Sequence, residues 1–208
     1  MTVLLVHGLG RTPFSMRLLG RRLRRAGHEP RYFGYAPWAE RHARIVGRLA
    51  ARVRALDATG APWAAVGHSL GGLLLRLAIA DVAPRHLAHL VMLGTPNQPP
   101  RLARRAVRVA PFRWLTGESG RQLASAEFYA RLPAPTHAYT LLAGTRGVSG
   151  RLSPFGDEPN DGIVALSEVR VRPGDAVRTF PITHTFMMNH RAVQDAVLAL
   201  LAGGGPTP

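Results

Sequence analysis

The chain has no cysteine and no lysine. Without cysteine it can form no disulfide and use no thiol nucleophile, and its compartment stays open on that count. Acidic residues are scarce: 12 Asp and Glu stand against 27 basic residues, all arginine, for a formal net charge of +15. No apolar run approaches the length of a membrane-spanning helix. There is no internal repeat, no G-x-G-x-x-G and no P-loop lysine after the first strand, so phosphate binding there is poorly supported. The arginines are spread along the chain without a recognition-helix, RNA-binding or zinc signature. No specific nucleic-acid partner is therefore expected, although a weak attraction to anionic membrane surfaces is. His86 and His89 lack the neighbours that a metal site needs, so neither a metal nor another cofactor is expected.

What is present is a core. At 208 residues, 46% of them hydrophobic, the chain is long enough for one domain, expected over 1–202 with a flexible tail at 203–208. Met1-Thr2-Val3-Leu4 runs directly into an apolar segment, leaving no room for a signal peptide and implying a cytoplasmic location. Short apolar runs at Val3–Val6, Pro30–Tyr35, Trp63–Val66, His89–Leu93, His137–Gly144 and Ala176–Ile182 read as strands. Helical spacing covers Pro13–Ala26, Trp38–Leu56, Leu73–Ala80 and Arg191–Leu201. Strands that alternate with helices in this way predict an α/β fold, a mostly parallel central sheet with helices on both faces. Residues 98–135 break the rhythm. A basic amphipathic helix over Arg101–Ala110, ended by Pro111, and a second over Ser119–Leu132 predict a short helical cap or lid insertion. Its basic faces and aromatics suit either an interfacial helix or a solvated one packed on the sheet.

The chemistry centres on Gly67-His68-Ser69-Leu70-Gly71, a G-x-S-x-G with a strand before it and a helix after it. That setting makes a nucleophile elbow, whose flanking residues must be small so that strand and helix can approach. The bland alternative is a helix start with Ser69 as its cap. A serine hydroxyl needs an imidazole base and an acid that orients it, and on such an elbow the acid and then the base follow later in the chain. Asp161 and His184 satisfy that order, ahead of Asp157 and Glu158 for the acid. His190 is the rival base at the start of the last helix. His7, in His7-Gly8-Leu9-Gly10, more naturally orders its own loop. The backbone N–H groups of Leu9 and Leu70 fit an oxyanion hole, where one donor is worth ~2.7–4 kcal/mol. Phe14, Trp38, Trp114, Phe186 and Met187 are candidates for the substrate pocket.

Together Val6-His7-Gly8-Leu9-Gly10, the Ser69 elbow with Gly72, Leu93-Gly94-Thr95-Pro96, Asp161-Gly162-Ile163-Val164 and the His184 segment resemble the small bacterial lipases and esterases of the α/β-hydrolase superfamily. The chain is similar to the minimal lipases and to the class 2 lipases over nearly its whole length. The spacing from Asp161 to His184 also resembles the minimal lipases, while Met188-Asn189-His190 resembles the histidine context of some larger ones. The insertion and the long loop before Asp161 depart from the minimal pattern. The calcium of larger bacterial lipases is not expected, because no second acidic cluster accompanies the motifs. The resemblance implies a carboxylic ester hydrolase working on a small-molecule or lipid ester through an acyl-enzyme. A thioesterase or acyltransferase using the same residues, an inactive binding protein of the same fold, and a membrane-surface protein acting through the basic insertion are the alternatives. Oligomeric state is not legible.

Overall fold

The computed structural model describes residues 1–151 and 153–203, with the backbone alone at 112 and 113. Of the tail expected at 203–208, residues 204–208 lie outside them. Among the described residues one sheet forms from β1 (Thr2–Val6), β2 (Glu29–Phe33), β3 (Trp63–His68), β4 (Leu87–Leu93), β5 (Tyr139–Gly144) and β6 (Val177–Phe180). Their spatial order is β2-β1-β3-β4-β5-β6, and every pairing is parallel.

The central strands are mostly apolar on both faces, because both faces are covered. Leu4, Val6, Ala65, Leu90, Met92 and Leu141 point to one core, shared with helices α2 (His42–Asp57) and α3 (Leu70–Val82). The alternating residues Val3, Leu5, Ala64, Val66, Val91 and Leu142 point to the other. There they meet α1 (Arg17–Arg25), reached through a 3-10 turn at Pro13–Met16, and the closing helix, Arg191–Leu201. Burying each such aliphatic side chain is worth ~1.5–3 kcal/mol. The two edge strands carry exposed arginines, Arg31 and Arg178, which discourage pairing with another sheet.

Between β4 and β5 the chain makes α4 (Arg101–Ala106), α5 (Ala110–Ala124) and α6 (Ala126–Ala130). The sequence predicts that Pro111 ends a helix. Instead it lies in the first turn of α5, where its missing N–H has no intrahelical partner to lose and its fixed φ suits helix initiation. The helix predicted over Ser119–Leu132 is split, with Ser125 accepting a hydrogen bond from Phe128 N–H as the cap of α6. A short α7 (Leu166–Val169) and β6 follow the long loop after β5, and the closing helix is α8. Among the described residues no helix is long and apolar enough to cross a membrane.

Candidate active site

In a parallel sheet all strands end on the same edge, and every segment with site chemistry leaves from that edge. Ser69 is the single residue between β3 and α3, and it turns the chain with φ 53° and ψ −123°. A side-chain-bearing residue at positive φ is strained by ~1–3 kcal/mol. Neighbours hold it there: Ser69 N–H donates to Leu93 O at 2.9 Å, and Gly72 N–H to Ser69 O at 3.0 Å. The reversal presses α3 against β1, so a Cβ on Gly71 would sit 2.3 Å from the Val6 carbonyl oxygen. The glycines of the motif are thus required by backbone proximity.

Asp161 and His184 meet across two loops. His184 Nδ1–H donates to Asp161 Oδ2 at 2.6 Å, and both side chains are buried. Asp161 Oδ1 accepts the N–H groups of Ile163 and Val164 at 3.0 and 2.7 Å. His184 N–H donates to the Asp161 carbonyl at 2.9 Å. The carboxylate is therefore fixed by its own turn, and the imidazole is fixed by ring and backbone together. With Nδ1 committed to Asp161, Nε2 is the ring's remaining nitrogen.

His68 supports this arrangement, a role the sequence did not suggest. Its Nε2–H donates to the His184 carbonyl at 3.0 Å. The two rings lie 4.8 Å apart between centroids. Burial, reinforced by the neighbouring His184, pushes the His68 pKa well below the ordinary histidine value. His68 is consequently neutral, with its proton on Nε2, and Nδ1 has no partner among the described residues. A Cβ on Gly8 would lie 2.8 Å from that Nδ1 and 3.1 Å from Ser69 Cβ. The glycine that follows His7 is thus a packing requirement of the serine turn.

Ser69, His68 and His184 open into a cavity of about 340 Å³ that also takes in Leu9 and Gly10 from the turn after β1. Its walls are mostly apolar: Leu102, Ala103 and Ala106 from α4, Leu123 from α5, and Val164 beside Asp161. Residues 102, 103 and 106 lie on one face of α4 by helical spacing. That spacing identifies a buried stripe but not that the stripe faces a cavity.

The five residues expected in the substrate pocket are not among those walls. Phe14, Trp38, Trp114 and Phe186 are exposed, Trp114 to 79%. They stand on segments that leave the same strand ends, outside the cavity. Met187 is fully buried in the core beneath α1 and α8. Aromatic size suggested a pocket, whereas the cavity is built from smaller aliphatic groups.

The rival residues lie elsewhere. His7 is buried, donates from Nδ1–H to the Gly8 carbonyl at 2.9 Å and stacks on Tyr35 at 4.2 Å. His190 stands at the N-terminal boundary of α8, makes no side-chain capping bond there, and is not among the cavity walls. Glu158 pairs with Arg101, and Asp157 is exposed. His89 shares a hydrogen bond with Thr140 Oγ1 at 2.8 Å.

A model of the alpha/beta hydrolase family matches residues 3–205. No curated protein matches the chain. Among solved structures it is similar to the mature form of lipase BlEst2 from Bacillus licheniformis, with a TM-score of 0.73 and 19% identity over 96% of this chain and 91% of that one. An extracellular alpha/beta-hydrolase from a Paenibacillus species gives 0.63 and 17%, over 98% and 99% of the two chains. Phospholipase PlaB from Legionella pneumophila gives 0.64 and 17%, over 82% of this chain and 46% of that one. At these identities the likeness is one of fold.

Proposed function

Because the chain belongs to the alpha/beta hydrolase family, we propose that it is a serine hydrolase that cleaves carboxylic esters through an acyl-enzyme. The observation that carries this reading is the His184–Asp161 hydrogen bond of 2.6 Å behind a cavity that holds Ser69. In the first step Ser69 Oγ attacks the ester carbonyl, and its proton passes to His184 Nε2. Asp161 holds the ring in the Nδ1–H tautomer and offsets the charge of the imidazolium. The carbonyl oxygen, now an anion, lies against the N–H groups of Leu9 and Leu70. Leu70 N–H belongs to the first turn of α3, where the helix dipole also favours negative charge. His184 returns the proton to the leaving alcohol. Water then attacks the acyl-serine by the same route and releases the acid.

The charge of +15 and the exposed aromatics on the same edge of the sheet support a weak, salt-sensitive contact with anionic membrane surfaces. Arg17 lies over the ring of Phe14 at 4.4 Å, which places a cation beside one of those aromatics.

The test is turnover of p-nitrophenyl esters over a range of acyl lengths, with Ser69→Ala as control. Turnover falls at least 1,000-fold in the variant, given how strongly such triads depend on the nucleophile. A fluorophosphonate probe labels wild type and not Ser69→Ala. Equal turnover or equal labelling of the two proteins would remove Ser69 from the mechanism.

A further inference from the structure

Among the described residues, the cavity around Ser69 has one permanently charged wall residue, Arg11. It follows Gly10 in the turn after β1, which is closed by Arg11 N–H to Gly8 O at 3.3 Å. Its guanidinium meets the protein weakly. Nη2–H reaches the Thr185 carbonyl at 3.4 Å, long for such a bond. No carboxylate pairs with Arg11 among the described residues, whereas Arg101, at the start of α4 and outside the cavity lining, holds both Glu158 and Glu168. A guanidinium offers five N–H donors in a planar fork suited to carboxylate or phosphate oxygens. Arg11 is only half-buried, so a ligand can reach it.

Away from Ser69, the two histidines, Thr185 and Thr116, the lining has the opposite character. Leu102, Ala103, Ala106 and Leu123 offer a ligand no charge and no side-chain hydrogen bond. An occupant that satisfies both ends is apolar along α4 and α5 and anionic beside the β1 turn. Thr185 follows His184, so Arg11 stands on the side of the histidine, which delivers a proton to the leaving alcohol. We infer that Arg11 is an anion-binding subsite for the alcohol part of the substrate, and that the preferred esters join an apolar acyl chain to an alcohol bearing a carboxylate or phosphate. This rests on the ester hydrolase reading for the direction of the substrate, but the anion contact itself needs no turnover.

The experiment compares 4-hexanoyloxybenzoate with its neutral methyl ester, which share acyl chain and ring and differ in one charge. The ratio of their kcat/KM values falls about tenfold in Arg11→Gln, the size of one charge-assisted hydrogen bond. Arg11→Lys, which keeps the charge but not the fork, recovers most of it. Arg85→Gln, exposed before β4 at the opposite edge of the sheet, keeps the wild-type ratio and so controls for net charge. Hexanoyloxyphenyl phosphate run beside the benzoate identifies the anion, since the true class shows the larger fall. An unchanged ratio in Arg11→Gln, or an equal fall in Arg85→Gln, overturns the subsite. Calorimetric binding of the two benzoate esters to Ser69→Ala separates this from the activity. If wild type cleaves neither ester but Ser69→Ala binds the anion more tightly through Arg11, the hydrolase reading fails and the subsite stands. Equal binding of anionic and neutral esters refutes the subsite even if both are cleaved.

Discussion

Asp161 uses both carboxylate oxygens, one for His184 and one for its own turn. An asparagine there must turn its amide NH2 either toward the Ile163 and Val164 N–H groups or toward the imidazole. Either choice opposes a donor with a donor, or leaves His184 in the wrong tautomer. On the proposed roles, Asp161→Asn lowers kcat by about 10,000-fold, measured on a p-nitrophenyl ester, while circular dichroism stays native. His68 gives a second residue-level expectation. His68→Leu strips the His184 carbonyl of its donor inside the protein, a loss of ~1–3 kcal/mol. A lower urea midpoint together with a lower kcat checks it, and a stability loss with kcat intact would make His68 purely structural. Ser69, Asp161 and His184 were legible as residues because a serine turn, an Asp-Gly loop and a post-strand histidine occur in fixed order. His68 was hidden because its identity is free in the motif, and only the approach of the His184 carbonyl gives it work.

At the scale of elements, polar contacts and close packing tie the insertion to the rest of the fold. At one end, Arg101 bridges Glu158 and the buried Glu168, joining α4 to the loop after β5 and to α7. Near its middle, α5 changes direction at Gly117, with φ 56° and ψ −141°. There the chain passes so close to the β2–α2 loop that a Cβ would lie 2.2 Å from the Pro37 carbonyl oxygen. The next residue, Glu118, accepts the N–H of His42 at the start of α2 at 2.9 Å, a favourable place for a carboxylate. Gly117→Ala is incompatible with both the angle and the space. It displaces the cavity wall at Leu123, and the acyl-length profile of ester turnover shifts or flattens, at a stability cost of ~1–3 kcal/mol. An unchanged profile would mean that α5 does not shape the acyl site. The sequence predicted the strands well because residues buried on both faces write continuous apolar runs, as at Val3–Val6. The insertion was harder. Its proline opens a helix instead of closing one, and its apolar stripe on α4 faces a hollow, which periodicity cannot distinguish from a packed neighbour.

At the scale of the whole molecule, histidine burial links stability to pH. His7, His42, His68 and His89 are buried, and burial is the first cause that holds each below its ordinary pKa. Near pH 6.5 the unfolded chain takes up more protons on these residues than the folded one does. The unfolded state then binds more protons, so stability falls as pH drops through that value. Each histidine that stays neutral contributes up to ~1.4 kcal/mol per pH unit. Calorimetric melting between pH 8 and pH 5 shows Tm decreasing steadily toward acid, and His42→Gln reduces the slope. A flat profile would contradict the burial argument. Surface charge acts separately: sedimentation with anionic vesicles weakens as salt rises from 0.05 to 0.5 M on the order of a Debye-length change, whereas binding to neutral vesicles stays low. The distribution of arginine gave the sign of that field from sequence alone. It did not reveal that one arginine, Arg11, lines the cavity beside Ser69.

On the role proposed for Ser69, its backbone angle sets heat resistance against activity at a single codon. Only glycine adopts that conformation without steric conflict, so Ser69→Gly should relax the turn and raise the melting temperature while deleting the hydroxyl. A library selected for surviving heat, with no assay for turnover, would therefore enrich inactive clones at this position, and improvement of the protein has to be screened on both properties at once.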